Sequence, residues 1–440
     1  MAFFKLPVAS LAGVALFASR LVVAHETHSN DARPVPTGEP WSDGCLPGPV
    51  LDTRHTSCVV SPPASASSVP SYDESAHPYN PKKYAPWTHQ PFCPPETKYC
   101  VHTNADFGKV GVSVITISST NGEHSNDAAL AGSPLQHLES IFDPAFRPKR
   151  EMRREMPIPP FAVRDLPGKG KGVVATSPIP RGTVLIVEQA AVIADSAFPM
   201  RVKREVGRRM LQAAMRRVAK NGGEKAILEL SRSNPDAEGV PAAEDVMKTN
   251  SFTVDIGGRS MMALFPRIAR INHACKPTAI INFDQETLSM TIRPLQDMRP
   301  GEEITISYTT FGDTYATRQR TLHQKWGFRC TCSLCSASAE ERAASDARRK
   351  SITELGQKVI GRLNDADYPG AIKQHRVMMA AIEDEGLAPH MGDYYEVMTR
   401  LYAANGDMKN AKKYARLAIK EFEDIGDEKV EELEAFVKAV

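Results

Sequence analysis

The sequence predicts an α+β protein with a β-rich central domain, a helical insert within it, a helical C-terminal domain and a disordered, Pro-rich N-terminal region. Three observations support this prediction. Fifteen of the 33 prolines lie in the first 100 residues, short strand-like runs bounded by turn residues fill much of 160–310, and apolar residues recur at helical spacing beyond Ser336. At about 150 residues per domain, 440 residues suggest roughly three folded units.

The overall charge excludes an obvious polyanionic partner. Lys and Arg total 54 against 52 Asp and Glu, a net charge of +2. The one local exception is a predicted helix with eight basic residues between Arg201 and Lys220, which either offers a nucleic-acid contact or is a solvated helix face. We expect no membrane association and a monomer.

The N-terminus resembles a secretory signal. An apolar run from Leu6 to Ala24 follows Lys5, is broken by Arg20 and ends in small residues, which predicts a cleaved signal peptide over 1–24. The alternatives are an uncleaved amphipathic start and an over-extended gene model. The run is too short and too interrupted to span a bilayer, and no other segment is apolar enough.

The N-terminal part contains four of the eight cysteines. In the Pro/Ser-rich region 25–155, two disulfides are expected in one of three pairings, if the region is secreted. The cysteines concerned are Cys45, Cys58, Cys93 and Cys100.

The other four cysteines predict a metal site. Cys330, Cys332 and Cys335 form a C-x-C-x2-C motif whose closely spaced thiols suit a tetrahedral zinc ion better than a disulfide. A fourth ligand is then needed, and Cys275 is the remaining cysteine in this half of the chain. The alternative is that Cys275 is a buried free thiol and a histidine completes the site. A disulfide-rich secreted protein using all eight cysteines is a weaker reading.

The C-terminal part shows a possible repeat. Two stretches align at a spacing of 40, with Asp367, Ala371, Ile382 and Gly386 matching Asp407, Ala411, Phe422 and Gly426. This favours paired helices of the tetratricopeptide type, with an unrelated helical bundle as the alternative.

Four motifs in a fixed order resemble one family. The motifs are Gly168–Gly172, Arg270–Pro277, Gly301–Tyr308 and Gly327–Cys335. Together they resemble a SET-domain protein-lysine methyltransferase with a post-SET zinc loop. The likeness is to fungal SET-domain proteins and, more distantly, to the SET-and-MYND group. It implies a SET domain over 156–310 with a helical insert at 199–250, a post-SET loop at 311–336 and a helical domain at 337–440. The insert contains no cysteine, so the MYND module is not expected.

The resemblance implies roles for individual residues. Tyr308 would be catalytic and Phe328 would cover the adenine of S-adenosylmethionine. Asn272 would bind the amino-acid end of that cofactor, and His273 would meet the adenine through its backbone. The same cofactor would also contact Lys169, Gly170 and Lys171, while zinc would be held by Cys275, Cys330, Cys332 and Cys335.

The activity implied is methyl transfer to a lysine of a protein substrate, histone or not. Two positions depart from the family pattern: Ala274 replaces a small hydroxyl residue, and Thr278 replaces an asparagine that braces the motif. Glu302 and Glu303 are interpreted as structural residues. An alternative function is therefore a catalytically inactive, zinc-stabilised SET scaffold that binds a protein partner.

The two predicted chemistries point to different compartments. A signal peptide implies the secretory pathway, where exposed thiols tend to oxidise. Zinc thiolates and S-adenosylmethionine favour the nucleus or cytoplasm instead.

Overall fold

A computed structural model describes residues 33–34, 79–117, 134–143, 145–146, 155–218, 223–233, 242–387, 391–425 and 429–439. The strands are β1 (Arg33–Pro34), β2 (Tyr99–Asn104), β3 (Val112–Ile117), β4 (Phe161–Leu166), β5 (Gly170–Ala175), β6 (Ile186–Gln189), β7 (Val192–Asp195), β8 (Ser251–Ile256), β9 (Arg259–Leu264), β10 (Asn272–His273), β11 (Ala279–Asp284), β12 (Ser289–Pro294) and β13 (Glu303–Ile306). The helices are α1 (Pro81–Tyr84), α2 (Pro134–Ile141), α3 (Phe198–Arg201), α4 (Arg204–Arg217), α5 (Gly223–Leu228), α6 (Ala242–Asn250), α7 (Tyr315–Trp326), α8 (Ala339–Asn364), α9 (Tyr368–Asp384), α10 (Met391–Ala404), α11 (Met408–Ile425) and α12 (Lys429–Ala439).

Three small sheets make up the β-rich part of the described chain. Their strand orders are β1-β8-β9-β7-β3-β2, β10-β13-β5-β4 and β11-β12-β6. Most neighbouring strands are antiparallel, but β10 runs parallel to β13 and β3 runs parallel to β7. The α+β fold class predicted from the sequence is confirmed.

Part of the N-terminal region, residues 79–117 and 134–141, is folded. Strands β2 and β3 extend the six-stranded sheet, since β3 pairs with β7 in the register Ser113↔Val192. Leu138 of α2 and Val114 of β3 belong to the same buried cluster as Val173 of β5. A boundary at 155 therefore separates two strands from the sheet that they complete.

The N-terminal cysteines divide between described and undescribed residues. Cys93 and Cys100 form a disulfide, which is compatible with one of the three pairings expected. Cys45 and Cys58 lie outside the described residues, as does the predicted signal peptide at 1–24.

The predicted insert is helical and packs against the large sheet. Helix α4 buries Val206, Met210 and Leu211 in a cluster shared with strands β2 and β9. Much of its basic face is engaged by carboxylates: Arg204 and Arg208 both contact the buried Glu244. Arg217 at its last turn is itself buried.

Consecutive C-terminal helices pack against one another, and the predicted 40-residue spacing falls on α9 and α11. Each is preceded by an aspartate whose side chain caps it, Asp367 accepting from the Gly370 N–H and Asp407 from the Asn410 N–H. The matched apolar positions Ile382 and Phe422 are both buried. Among the described residues, the helices are all too short or too polar to cross a membrane.

Candidate active site and metal centre

Two crossing chain segments form the centre of the candidate site. Strand β10 lies parallel to β13, with Asn272 opposite Thr305 and His273 opposite Ile306. The Ala274 N–H donates to the Ile306 carbonyl at 3.0 Å, which continues the pairing. This register places residues 271–275 beside residues 303–308.

Tyr308 is hydrogen-bonded to the neighbouring segment, residues 271–273. Its hydroxyl donates to the Ile271 carbonyl oxygen at 2.6 Å, and its backbone N–H donates to His273 Nδ1 at 2.9 Å. Burial, together with the negative charge of Glu303, raises the pKa of Tyr308 above its usual value. The hydroxyl therefore keeps its proton at neutral pH and remains a donor.

His273 links Tyr308 to the cysteines. Its side chain is buried, and burial lowers its pKa to about 3, so the ring is neutral. Because Nδ1 accepts the Tyr308 N–H, the ring proton resides on Nε2, which faces Cys275 Sγ at 3.3 Å. The His273 side chain thus connects the predicted catalytic residue with a predicted metal ligand.

Aromatic rings surround Tyr308. The Tyr308 ring lies 5.0 Å from the ring of Trp326 and 6.5 Å from that of Phe328, and the Phe328 ring lies 6.4 Å from His273. The Trp326 indole N–H donates to the Thr249 carbonyl at 3.0 Å, which ties this wall to the helical insert. Trp326 was not identified from the sequence; the one available signal is its position two residues before Phe328.

Glu303 joins two of the predicted cofactor residues. One carboxylate oxygen lies 2.6 Å from Lys169 Nζ, and the other accepts from Asn272 Nδ2 at 2.9 Å. A Cβ on Gly172 would lie 2.7 Å from Asn272 Nδ2, so this close approach requires glycine. The Lys169 ammonium, the Asn272 amide and the Glu303 carboxylate therefore form one polar cluster.

The other members of the predicted glycine turn are arranged differently. Gly170 has φ +67 and no heavy atom within 4 Å of where its Cβ would be, so the turn leaves open space there. Lys171 is exposed and lies 3.4 Å from Asp165. The structure therefore brings Lys169 to Asn272 through Glu303 but pairs Lys171 elsewhere.

The Thr278 hydroxyl forms hydrogen bonds that join the segment after β10 to strand β13. The hydroxyl donates to the Glu303 carbonyl at 3.1 Å and accepts the Thr305 N–H at 2.9 Å. An asparagine amide is absent at this position, as the sequence shows, but the bracing between the segment after β10 and strand β13 is retained.

Four cysteine thiols converge beside His273. The Sγ atoms of Cys275, Cys330, Cys332 and Cys335 all lie within 4.8 Å of one another, and all four are free thiols. Tetrahedral zinc with Zn–S bonds near 2.3 Å requires sulfur–sulfur distances of about 3.8 Å, which this cluster approaches without rearrangement. Cys275 Sγ, for example, lies 3.5 Å from Cys335 Sγ.

The surroundings of the thiols fit a negatively charged metal centre. Four thiolates around Zn²⁺ carry a net charge of −2, which is costly to bury without nearby cations or donors. Arg318 is fully buried; burial lowers the pKa of its guanidinium, and the neighbouring Cys275 and Cys335 raise it to above its usual value.

The loop that carries three of the thiols is fixed by helix α7. The Gln319 side chain accepts from the Cys330 N–H at 3.0 Å and donates to the Cys330 carbonyl at 2.8 Å. Gly327, with φ +74, ends α7 and directs the chain towards Phe328. Helix α7 thereby positions both Phe328, one of the aromatic rings around Tyr308, and Cys330, the first cysteine of the motif.

The sequence is similar to several known proteins. The SET domain family model matches residues 170–309. The fission yeast protein named histone-lysine N-methyltransferase set5 is 26% identical over 286 residues, covering 63% of this chain and 83% of that protein.

Shorter matches connect the chain to a second group of proteins. The zebrafish N-lysine methyltransferase SMYD2-B is 30% identical over 128 residues, and the human N-lysine methyltransferase SMYD2 is 29% identical over 119 residues. These matches span 29% and 27% of the respective relatives. The chain therefore contains a SET domain and is related to the SET5 proteins and to the SET-and-MYND group.

Proposed function

We propose that this protein transfers a methyl group from S-adenosylmethionine to the side chain of a lysine in a protein substrate. One observation carries the proposal: a single short segment, residues 271–275, anchors the Tyr308 hydroxyl, positions Asn272 against Glu303 and Lys169, and ends in a thiol of the cysteine cluster. The relatives named lysine methyltransferases support the same reaction class.

The polar group around Glu303 would hold the cofactor. S-adenosylmethionine supplies a methyl group activated by its positively charged sulfur. Lys169 can receive the α-carboxylate, and Glu303 with the Asn272 amide can receive the α-ammonium group. Phe328 would cover the adenine, since a flat ring packs well on a base.

Tyr308 would align the two reacting atoms. Methyl transfer is an in-line displacement, so holding donor and acceptor in line supplies much of the rate. The hydroxyl proton is already committed to the Ile271 carbonyl, so the lone pairs of the oxygen remain available to the methyl carbon and the incoming nitrogen. The aromatic rings of Trp326 and Phe328 restrict the space beside it.

The attacking lysine must be neutral before it can react. Removing its proton at about pH 7.4 costs roughly 4 kcal/mol from an ordinary pKa near 10.4. An apolar, aromatic wall lowers that cost because burial disfavours the charged ammonium form. No described side chain is needed as a general base in this scheme.

Zinc would hold the post-SET loop against the SET domain. Three ligands follow α7 in one loop, and the fourth, Cys275, lies on the segment that anchors Tyr308. Binding the ion would therefore fix Phe328 and Trp326 relative to Tyr308. Structural zinc sites of this kind contribute directly to folding.

The test is methyl transfer with isotope-labelled S-adenosylmethionine, using core histones and a library of lysine-containing peptides as acceptors. We expect transfer by the intact chain and a loss of about 100-fold or more in Tyr308→Phe, because misplaced reacting groups cost on this order. Tyr414→Phe on α11 removes an equivalent hydroxyl from the helical tail and should leave the rate unchanged.

Calorimetry separates the enzyme from the scaffold alternative. A folded, zinc-loaded protein that binds no S-adenosylmethionine and transfers no label would contradict the proposal and favour the inactive scaffold. Cofactor binding with transfer that Tyr308→Phe does not affect would contradict the assigned role of Tyr308.

A further inference from the structure

A buried arginine of the C-terminal helices reaches the metal-ligand segment. Arg349 on α8 is 1% exposed. Its Nη2 donates to the Cys275 carbonyl at 2.9 Å, and its Nη1 donates to the Phe311 carbonyl at 2.9 Å. One guanidinium therefore connects the helical domain with the loop after β13 and with the backbone of a predicted zinc ligand.

The charge of Arg349 is balanced from within the helical domain. Its Nε donates to Glu385 at 2.8 Å, and Glu385 is fully buried just after α9. Burial would raise the pKa of Glu385, but hydrogen bonds from Ser345 and Arg349 hold it below its usual value. The carboxylate is thus ionised, and it fixes the guanidinium in one orientation.

Two of the four cysteines accept a hydrogen bond from α8 through their carbonyls, Cys275 from Arg349 and Cys335 from Arg342 at 3.3 Å. Cys330, Cys332 and Cys335 share one loop, in which Gln319 of α7 binds the backbone of Cys330. Cys275 comes from the distant SET segment, and its own carbonyl is bonded to Arg349 rather than to a neighbouring strand. The position of this peptide group sets whether the fourth sulfur reaches the other three.

We propose that Arg349 is a positioning residue through which the C-terminal helices hold Cys275 in the geometry required by the metal centre. The inference rests on the zinc site of the proposed function. The helical domain is then part of the metal centre's support, and disturbing its packing on the SET domain weakens metal binding.

The three hydrogen bonds of Arg349 depend on the planar shape of its guanidinium group. Its three donors point to a carboxylate and two carbonyls in fixed directions, whereas a lysine ammonium offers a single flexible point charge. Arg349→Lys should therefore keep the charge but lose at least part of the support. Arg349→Met removes the hydrogen bonds and the charge together.

The experiment measures zinc release from the full-length chain. Protein purified with zinc is mixed with a chromogenic chelator, and the release rate is followed together with zinc content per chain and far-ultraviolet circular dichroism. The variants are Arg349→Met, Arg349→Lys and the matched control Arg362→Met. Arg362 lies on the same helix but in an exposed pair with Asp367.

We expect Arg349→Met to release zinc about tenfold faster or more, a typical effect of removing a residue that orients a metal ligand. Arg349→Lys should fall between Arg349→Met and the parent, and Arg362→Met should match the parent. If Arg349→Met does not fold, the same measurement is made on Arg349→Lys and Glu385→Gln instead. Folded variants that all release zinc at the parental rate would overturn the proposal.

The outcome is separable from that of the methyl-transfer assay. Zinc release is measured without cofactor or substrate, so an inactive protein can still support the role of Arg349. A parent chain that retains no zinc would overturn this inference, while methyl transfer would still be decided by the Tyr308→Phe comparison.

Discussion

At the scale of single residues, Glu303 has the clearest testable role. The variant Glu303→Gln keeps an oxygen for the Asn272 amide but loses the ion pair with Lys169. We expect S-adenosylmethionine affinity, measured by calorimetry, to fall about three- to tenfold, as for a partly exposed ion pair. Glu302→Gln is the matched control, because the Glu302 side chain accepts the Arg299 N–H of the adjacent turn. Equal affinities for both variants would contradict a role for Glu303.

Thr278 offers a second prediction at this scale. Thr278→Val keeps the shape but leaves the Thr305 N–H and the Glu303 carbonyl without their partner. Since Thr305 is buried, we expect the free energy of unfolding to drop by about 1–3 kcal/mol in urea titration. Thr278→Ser preserves the hydroxyl and should lose much less. A valine variant as stable as the serine variant would mean that the hydroxyl bridges are dispensable.

Sequence reasoning located the residues that occur in compact motifs. Cys330, Cys332 and Cys335 could be named from their spacing, Cys275 as the remaining cysteine in that half of the chain, and Tyr308 from the resemblance to the SET family. The structure brings the four thiols together and links Tyr308 to them through His273. Glu303 was interpreted as structural because the motifs require no general base. Its ion pair with Lys169 joins residues 134 positions apart, so no local sequence pattern reveals it. Arg349 carries no local signal either, because its partners lie on three separate segments.

At the scale of elements, the loop after α7 should depend on metal. Removing zinc with a strong chelator leaves four thiols without the ion that joins them, so the loop should detach from residues 272–275. We expect the thermal midpoint to fall by about 10 °C or more and amide exchange to increase in 328–336. Adding Zn²⁺ back should restore both measurements, and Mg²⁺ should not. Unchanged exchange after complete zinc removal would contradict a structural metal site.

Strand β2 should make the fold sensitive to acid. Burial, and then the charge of Arg217, lowers the pKa of His102 from 6.5 to about 4. The unfolded chain therefore binds a proton before the folded chain does, and stability that is complete above pH 6.5 is lost as the pH falls towards 4. A shift of this size corresponds to about 3 kcal/mol.

The measurement is the thermal midpoint between pH 7.5 and 4.5, compared between parent and His102→Phe. The phenylalanine variant cannot titrate at this position, so it should lose less stability across the range than the parent. His323→Phe alters an exposed histidine of α7 and serves as the control. Parallel curves for the parent and His102→Phe would show that His102 does not cause the acid sensitivity.

Among elements, periodicity and motif order predicted the insert and the repeated helices, whereas composition misjudged the N-terminal strands. The run Lys109–Ser118 is rich in β-branched residues, as is typical of a strand, and it contains β3. Its partner β7 lies far along the chain, in the register Ile115↔Ala194, which no local pattern reveals. The proline-rich composition therefore concealed β2 and the long-range pairing of β3.

At the scale of the whole molecule, Gly182 allows the helical domain to lie close against the SET domain. Gly182 has φ +77, and a Cβ there would lie 2.6 Å from the Asp424 carbonyl of α11. Gly258 has a similar φ of +75 with no atom within 4 Å. Both Gly182→Ala and Gly258→Ala pay the strain of a left-handed backbone, about 1 kcal/mol.

Only Gly182→Ala adds a steric clash between the domains. We therefore expect its free energy of unfolding to fall by roughly 1–3 kcal/mol more than that of Gly258→Ala, as for overpacked sites. The adjacent ion pair of Arg181 with Asp424 should weaken at the same time. Equal losses in the two variants would show that the domains can separate at this contact without cost.

The pairing of β3 with β7 has a practical consequence for shortened forms of the protein. Val192, Ile193 and Ala194 are fully buried in the native sheet. A fragment that begins near residue 155 would lack β3, so the apolar strand β7 would become an exposed edge strand. Exposed edge strands promote self-association. Soluble, homogeneous fragments should therefore retain residues 79–117, and preparations trimmed beyond them should precipitate or form higher oligomers.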